Sequence, residues 1–459
     1  MRNYPTKVAV GLAVLLLSSL PATRATAEQA GQAAGQSAQT TYTLPEYNAE
    51  QAAAAEKDSQ QQIKLLDAFV AQYPNSTLMQ YIYQFYYTAY YKLKNYQKAV
   101  EYADKLIAMP SDKAELGVRV SAIQARIQLF PLAYPKPSND DWTKERDVAQ
   151  TGVKIFPNLL RLTPPPVTQD QLNASIAYLQ GAIGSADFGL KDFPGAIEAY
   201  KAAIATNPKD PQTPVSYYRL GIAYLSTAPP QFLDGFWALA RAVDLKVSDS
   251  DKVKDYLRSR ILQYEQPGCD SQVDAQLSEL LQLAQNSPDR PASYTIPSHD
   301  DLQKISTSST IITVINDLSG GGDKAKMTWL AICGAEFPEV VGKIVDIQKS
   351  DNFIDFMVFT SDNGDQMQNA TTANMDVKVW TAAKPAGSTP PPAGTTDPGP
   401  QPDVARFEKD DPIKFSGAIT GYDPSPFLLH WDAVKVDPST IPEKGAAKKP
   451  AAHRPAPKE

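Results

Sequence analysis

Residues 192–210 read DFPGAIEAYKAAIATNPKD, and residues 217–225 read YYRLGIAYL. In the first stretch Ala196, Tyr200 and Ala203 recur at intervals of four and three, the spacing of one helix face, and Pro208 stops the run. In the second, Tyr217, Leu220, Gly221 and Tyr224 share a face in the same way. Ala196 and Gly221 are small where two helix axes must approach, and the tyrosines and Leu220 fill the space around them. Residues 95–110, NYQKAVEYADKLIAMP, repeat the first pattern with Ala99, Ala103, Ile107 and Pro110. The interval from Gly184 to Gly221 is 37 residues.

The plan of an amphipathic helix followed by a break extends well beyond these stretches. Residues 60–76, QQQIKLLDAFVAQYPNS, place Ile63, Leu66, Phe69 and Val70 on one face and stop at Pro74. The pattern recurs at 78–93, 95–108, 112–130, 141–156, 169–190, 193–206, 213–226, 231–245 and 249–264. Tyr217, Leu220, Gly221 and Tyr224 stand at the spacing of W-x-x-L-G-x-x-Y, and residues 46–265 thereby resemble a tetratricopeptide-repeat (TPR) array, whose period is about 34 residues. The resemblance implies five or six helical hairpins in a repeat domain spanning 46–287, a solenoid in which first helices line a concave groove.

Carried onto this chain, the resemblance puts Tyr83, Tyr86, Tyr87 and Tyr90 of the tyrosine-rich stretch 80–93 in the interior. It puts Tyr81, Gln84, Thr88 and Tyr91 in the groove, with Tyr178, Ser185 and Phe188 from one later repeat and Tyr218, Ile222 and Leu225 from another. Tyrosine suits such a groove because it brings large contact area at low rotamer cost, with a hydroxyl for a peptide backbone.

Arg2 and Lys7 precede an apolar run from Val8 to Leu20, and Ala25–Ala27 offer a small-x-small cleavage pattern, so 1–27 reads as a secretory signal peptide. The run is too short to span a bilayer comfortably, and no cysteine near the cleavage site offers a lipid attachment point. Residues 28–45 are small, polar and aperiodic, a disordered leader. An exported protein of the periplasm or the extracellular space, with no membrane span after cleavage, is the expectation. Losing Arg2, Lys7 and Arg24 takes the formal charge from −7 to −10, which disfavours nucleic acid as a partner.

From about Pro288 the pattern changes. Residues 288–335 form a bridging segment: 299–318 suits one more helix or a strand-like bridge, and 319–338, SGGGDKAKMTWLAICGAEFP, suits a loop. Its glycines are contiguous and Asp323 follows, unlike a phosphate-binding G-x-x-x-x-G-K-[ST] loop, so they read as a hinge. Residues 336–437 then carry five short β-branched and aromatic runs, EVVGKIVDIQK, NFIDFMVFTSD, MDVKVWT, DDPIKFSGAITGYD and FLLHWDAVKVD. Strand number and the positions of Gly342 and Gly417 resemble a small OB-like β-barrel. A Pro-rich loop at 384–402 separates the third and fourth strands, and 438–459 is a disordered basic tail. The fold class is thus mainly α, an α-solenoid of TPR hairpins followed by a barrel expected to fold without the repeats.

The sequence offers little for catalysis. Its three histidines, His299, His430 and His453, stand at no chelating spacing, so no catalytic residue, metal or cofactor is expected. Cys269 and Cys333 are the only cysteines, and in an oxidising compartment they form a disulfide or remain two buried thiols. Two functions compete. The leading one is a non-enzymatic scaffold of the bacterial cell envelope, binding a partner peptide or helix in the TPR groove. The alternative makes the barrel the working part, with an oligosaccharide or nucleic acid as ligand.

Overall fold

A computed structural model describes residues 42–267, 269–385 and 396–443. The expected signal peptide, the leader up to residue 41, the centre of the Pro-rich loop and the tail from residue 444 lie outside the described residues. These residues form two compact units. One reaches to Lys254 and takes in Ala284–Arg290; the other comprises Asp255–Leu283 and the chain from Pro291 on.

The first unit is built from consecutive helices: α1 (Leu44–Ala55), α2 (Ser59–Gln72), α3 (Met79–Lys92), α4 (Tyr96–Ile107), α5 (Leu116–Ala133), α6 (Asn139–Ile155), α7 (Gln169–Gly189), α8 (Phe193–Thr206), α9 (Thr213–Ser226) and α10 (Phe232–Asp244). Each packs on its neighbour in sequence, which makes a tandem array of helical hairpins. Helix α1 was not among the expected helices. Thr43 starts it with a capping box shared with Glu46, two residues inside the expected leader.

The hairpin interiors follow the spacing. Ala99, Ala103, Ala196, Ala203, Tyr200, Tyr217, Leu220 and Tyr86 are all buried. Tyr86 stacks on Tyr102 of α4 with centroids 4.1 Å apart, and Tyr90 stacks on the same ring at 5.6 Å. The Tyr86 hydroxyl donates to Asp67 of α2 at 2.6 Å, and burial, seconded by that bond, raises its pKa. Tyr83, Tyr87 and Tyr90 are half-buried against these cores. Most of the tyrosine-rich stretch is therefore interior.

Helix α11 (Ser250–Glu265) begins in the first unit and ends in the second, which holds α12 (Ser271–Asn286) as far as Leu283 and then α13 (His299–Ser308), α14 (Ile311–Gly320) and α15 (Gly322–Ile332). Of the two readings of 299–318 the helical one holds, as two helices in place of one, while the loop expected at 319–338 is corrected: most of it is α15. The glycine run survives as a turn, for Gly321 (φ 70°) and Gly322 (φ 68°) occupy the left-handed region that disfavours any Cβ. The strands are β1 (Glu336–Lys349), β2 (Phe353–Phe359), β3 (Met375–Trp380), β4 (Pro412–Pro424) and β5 (Phe427–Val436), with a short helix, α16 (Gly364–Asn369), between β2 and β3.

The sheet closes in the order β1-β2-β3-β5-β4. Only β3 and β5 run parallel, pairing Asp376 with His430. Inward alternation sends Ile354, Phe356 and Val358 of β2, Met375, Val377 and Val379 of β3, and Ile413 and Phe415 of β4 into one core. Gly342 is tight rather than merely coiled: a Cβ there would stand 2.9 Å from the Phe359 carbonyl oxygen.

That core does not end at the strands. Val314, Ile315 and Leu318 of α14 and Ala325 and Ile332 of α15 belong to it, and Trp329 meets Tyr422 of β4 edge-on at 5.1 Å. The boundary expected at residue 335 therefore cuts through one packed body. Cys269, between α11 and α12, is disulfide-bonded to Cys333 at the end of α15, with Cα atoms 5.6 Å apart across 64 residues of sequence.

Candidate partner-binding face

The expected groove residues lie on the first helices α3, α7 and α9. On α3, Tyr91 is 46% exposed beside Tyr96, whereas Tyr81 is half-buried and its hydroxyl donates to Glu115 at the start of α5 at 2.5 Å. Gln80 accepts the Glu115 N–H at 2.8 Å, so this end of α3 is fastened to the next first helix. Gln84 and Thr88 are half-buried, and the Thr88 hydroxyl donates back to the Gln84 carbonyl at 2.9 Å.

On α7, Tyr178 is 42% exposed. Its hydroxyl nevertheless lies among protein atoms: burial, helped by Glu145 and opposed by Arg219, pushes it up to about 12. Ser185 accepts from Arg219 of α9 at 2.6 Å and from Tyr200 of α8 at 3.3 Å. Phe188 is half-buried and meets Phe193 edge-on at 5.3 Å across the hairpin turn. On α9, Tyr218 and Ile222 are half-buried.

Leu225 is a correction. It is 7% exposed and packs against α10, where a Cβ on Gly235 would lie 2.8 Å from its Cδ2. It serves the α9–α10 contact. Tyr81 and Ser185 likewise join successive first helices, so the accessible part of the face narrows to Tyr91, Tyr178 and Arg219, with Gln84, Thr88, Tyr218 and Ile222 half-covered beside them.

Two arginines escaped the sequence argument. Arg219 is exposed, held at one end by Ser185. Arg126 is fully buried: it donates to Asp104 of α4 at 3.1 Å and to Glu145 of α6, with its guanidinium over the Phe130 ring. Burial pushes the Glu145 carboxyl well above its usual range against the pull of Arg126. Its signal in sequence is position: Arg126 stands three residues after Ile123 and four before Phe130, on the apolar face.

The outer face of the barrel carries Phe353 and Trp380 with centroids 5.3 Å apart, under Lys378 and Lys384. Both lysines are engaged, Lys384 with Asp397 at 3.2 Å and Asp432 at 3.4 Å, and Lys378 with Asp355 at 4.0 Å. His430 sits between Asp376 at 3.2 Å and Asp423 at 3.0 Å, one on each ring nitrogen. Among the described residues no group of three or more His, Cys, Asp or Glu is placed to hold a metal ion, and no helix is long and apolar enough to cross a membrane.

Among solved structures, the chain is similar to the crystal structure of the C-terminal part of a TPR repeat-containing protein from Cytophaga hutchinsonii, at 14% identity and a TM-score of 0.25 over 53% of this chain and 95% of that one. No family model and no curated protein matches the sequence. A likeness this loose assigns neither partner nor activity.

Proposed function

We propose that this protein is a non-enzymatic interaction scaffold, exported to the bacterial cell envelope, which grips an extended or helical segment of another protein on the face formed by α3, α7 and α9. The observation that carries this reading is the exposure of Tyr91 and Tyr178, at 46% and 42%, on helices whose other large side chains are mostly covered. Exposed rings on first helices of one repeat face make a surface a partner can cover, and there Tyr91 offers area and a hydroxyl together while Tyr178 offers ring area. Arg219 adds an exposed cation, held at one end by the Ser185 hydroxyl and suited to an acidic group on the partner.

The signal-peptide pattern of 1–27 supports export. The test replaces Tyr91 and, separately, Tyr178 with a photo-crosslinking phenylalanine analogue in the full-length protein in its own envelope. One recurrent partner cross-linked from both positions supports the proposal. Partners that are absent, or that cross-link equally from Lys201 on α8, overturn it.

A further inference from the structure

Glu265 is the last residue of α11 and is wholly buried, yet neither carboxyl oxygen has a hydrogen-bond partner. Gln276 of α12 is the polar side chain beside it: its amide favours the charged carboxyl without closing a full hydrogen bond to it, and the Gln276 Oε1 is buried and unpartnered as well. A carboxylate and an amide oxygen are both acceptors and cannot satisfy each other. Turning the amide so that its NH2 donates to the carboxylate would still leave an acceptor of each residue bare.

Among the described residues only the Gln276 amide favours an anion here. No Lys or Arg acts on Glu265. Its titratable neighbours are Tyr264 on the same helix and Tyr294 ahead of α13. Beyond them stand Asp301, acting on Tyr264 and held by Lys304 at 3.6 Å, and Glu279, acting on Tyr294 and 4.0 Å from Lys326. The end of α11 adds its own partial negative charge, since the last carbonyls of a helix point that way.

One proton resolves the shortage of donors. It makes Glu265 an O–H donor to the Gln276 carbonyl and removes the buried charge together. We propose that Glu265 is kept as a neutral acid donating to Gln276, and that loss of this proton loosens the packing of the end of α11 on α12, next to Cys269. Burial moves the carboxyl in the required direction, from its ordinary 4.5 to about 7, with Gln276 opposing. Since the folded value lies above the unfolded one, the stability from this group is full below about pH 4.5 and is lost as pH rises to about 7. The device is a pH-operated release beside the disulfide.

The test compares the full chain with Glu265→Gln, which keeps the shape and cannot ionise. Infrared difference spectra of the wild type from mildly acidic to mildly alkaline pH should lose one protonated-carboxyl band near neutrality, a band missing from the variant. Amide exchange at residues 262–276, taken as the ratio of wild type to variant at each pH so that intrinsic exchange chemistry cancels, should rise severalfold across the same range. A ratio flat with pH, or difference spectra that match, overturns the proposal. If the variant does not fold, the titration is run on Glu145→Gln, which removes the other strongly raised carboxyl and leaves Glu265 in place: a carboxyl band lost near neutrality supports the proposal, and carboxyls that titrate only in the ordinary acidic range overturn it.

Discussion

Gly221 of α9 and Gly235 of α10 stand back to back: a Cβ on Gly221 would lie 3.0 Å from the Gly235 carbonyl oxygen, and one on Gly235 would lie 3.2 Å from that of Gly221. The backbones meet there without side chains between them, and Leu225 and Leu239 close over the crossing from either side. Gly221→Leu should therefore push the helices apart, and overpacking of this kind costs roughly 1–3 kcal/mol. Gly235→Leu should cost a similar amount, and the double variant less than the sum, because one displaced contact is counted in both. Thermal and urea unfolding of the four proteins checks this.

The tyrosines divide by burial. Tyr86→Ala removes a ring 2% exposed, its stack on Tyr102 and its bond to Asp67. Loss of a buried aromatic costs about 3–5 kcal/mol. Tyr91→Ala should stay within about 0.5 kcal/mol of wild type, as exposed substitutions do. If the face proposed above is the working one, Tyr91→Ala should nonetheless reduce partner capture more than it reduces the melting temperature. Equal losses of stability in the two variants would place Tyr91 in the core.

Arg126 is the cation of a trio in which Glu145 is buried with it and Asp104 is partly exposed. Replacing it with Leu leaves Asp104 and Glu145 facing each other without it, and breaking a buried pair from one side costs about 3–5 kcal/mol. Glu145→Gln should cost far less, because Glu145 is already pushed toward its neutral form and an amide oxygen can still accept from the guanidinium, though more weakly than a carboxylate. The sign with pH follows. Glu145 has a folded value above the unfolded one, so the stability of wild type relative to Glu145→Gln should be greatest in acid and fall as pH rises. Denaturant titrations at several pH values give this difference directly.

What was legible in the sequence was periodicity. Small and aromatic residues at helical spacing gave the hairpins, and alternation gave the five strands, because each pattern is local and repeated. Long-range partners were not legible. Tyr81 and Ser185 occupy groove positions by spacing, but Glu115, 34 residues on, and Arg219, also 34 residues on, take their polar groups. Leu225 shares the spacing and is buried by Gly235, whose lack of a side chain opens the space. Helix α15 begins in glycine and lysine and looks like a loop; Ala325, Leu330 and Ile332 become a helical face because they have something to bury against. The Cys269–Cys333 proximity likewise belongs to the fold and has no local signature.

The barrel should not bind single-stranded nucleic acid strongly. Residues 336–443 hold 17 Asp or Glu against eight Lys or Arg. The two lysines over the Phe353–Trp380 pair are already shared with Asp355, Asp397 and Asp432. Strand binders of this kind need stacking rings and a basic groove together. Oligonucleotide titration at near-physiological salt should show no micromolar affinity; tight binding that weakens steeply with salt would move the function to this face.

The barrel's need for its helices is the sharpest test of the architecture. Five side chains of α14 and α15 sit in the strand core at 0–8% exposure, and each fully buried aliphatic of the larger kind is worth about 1.5–3 kcal/mol. Domains of this size are stable by only about 5–15 kcal/mol in all, so a fragment of residues 336–437 loses a share comparable to its whole stability. It also loses Cys333, and with it the closure of the 64-residue loop, for which a disulfide commonly contributes about 2–4 kcal/mol. A fragment of residues 255–443 keeps α12 to α15, both cysteines and the strands. We expect the longer fragment to unfold cooperatively and show dispersed amide resonances, with a melting temperature that falls on reduction. The shorter one should expose apolar surface and aggregate. Cooperative unfolding of 336–437 alone would mean that α14 and α15 cover a core the strands already complete by themselves.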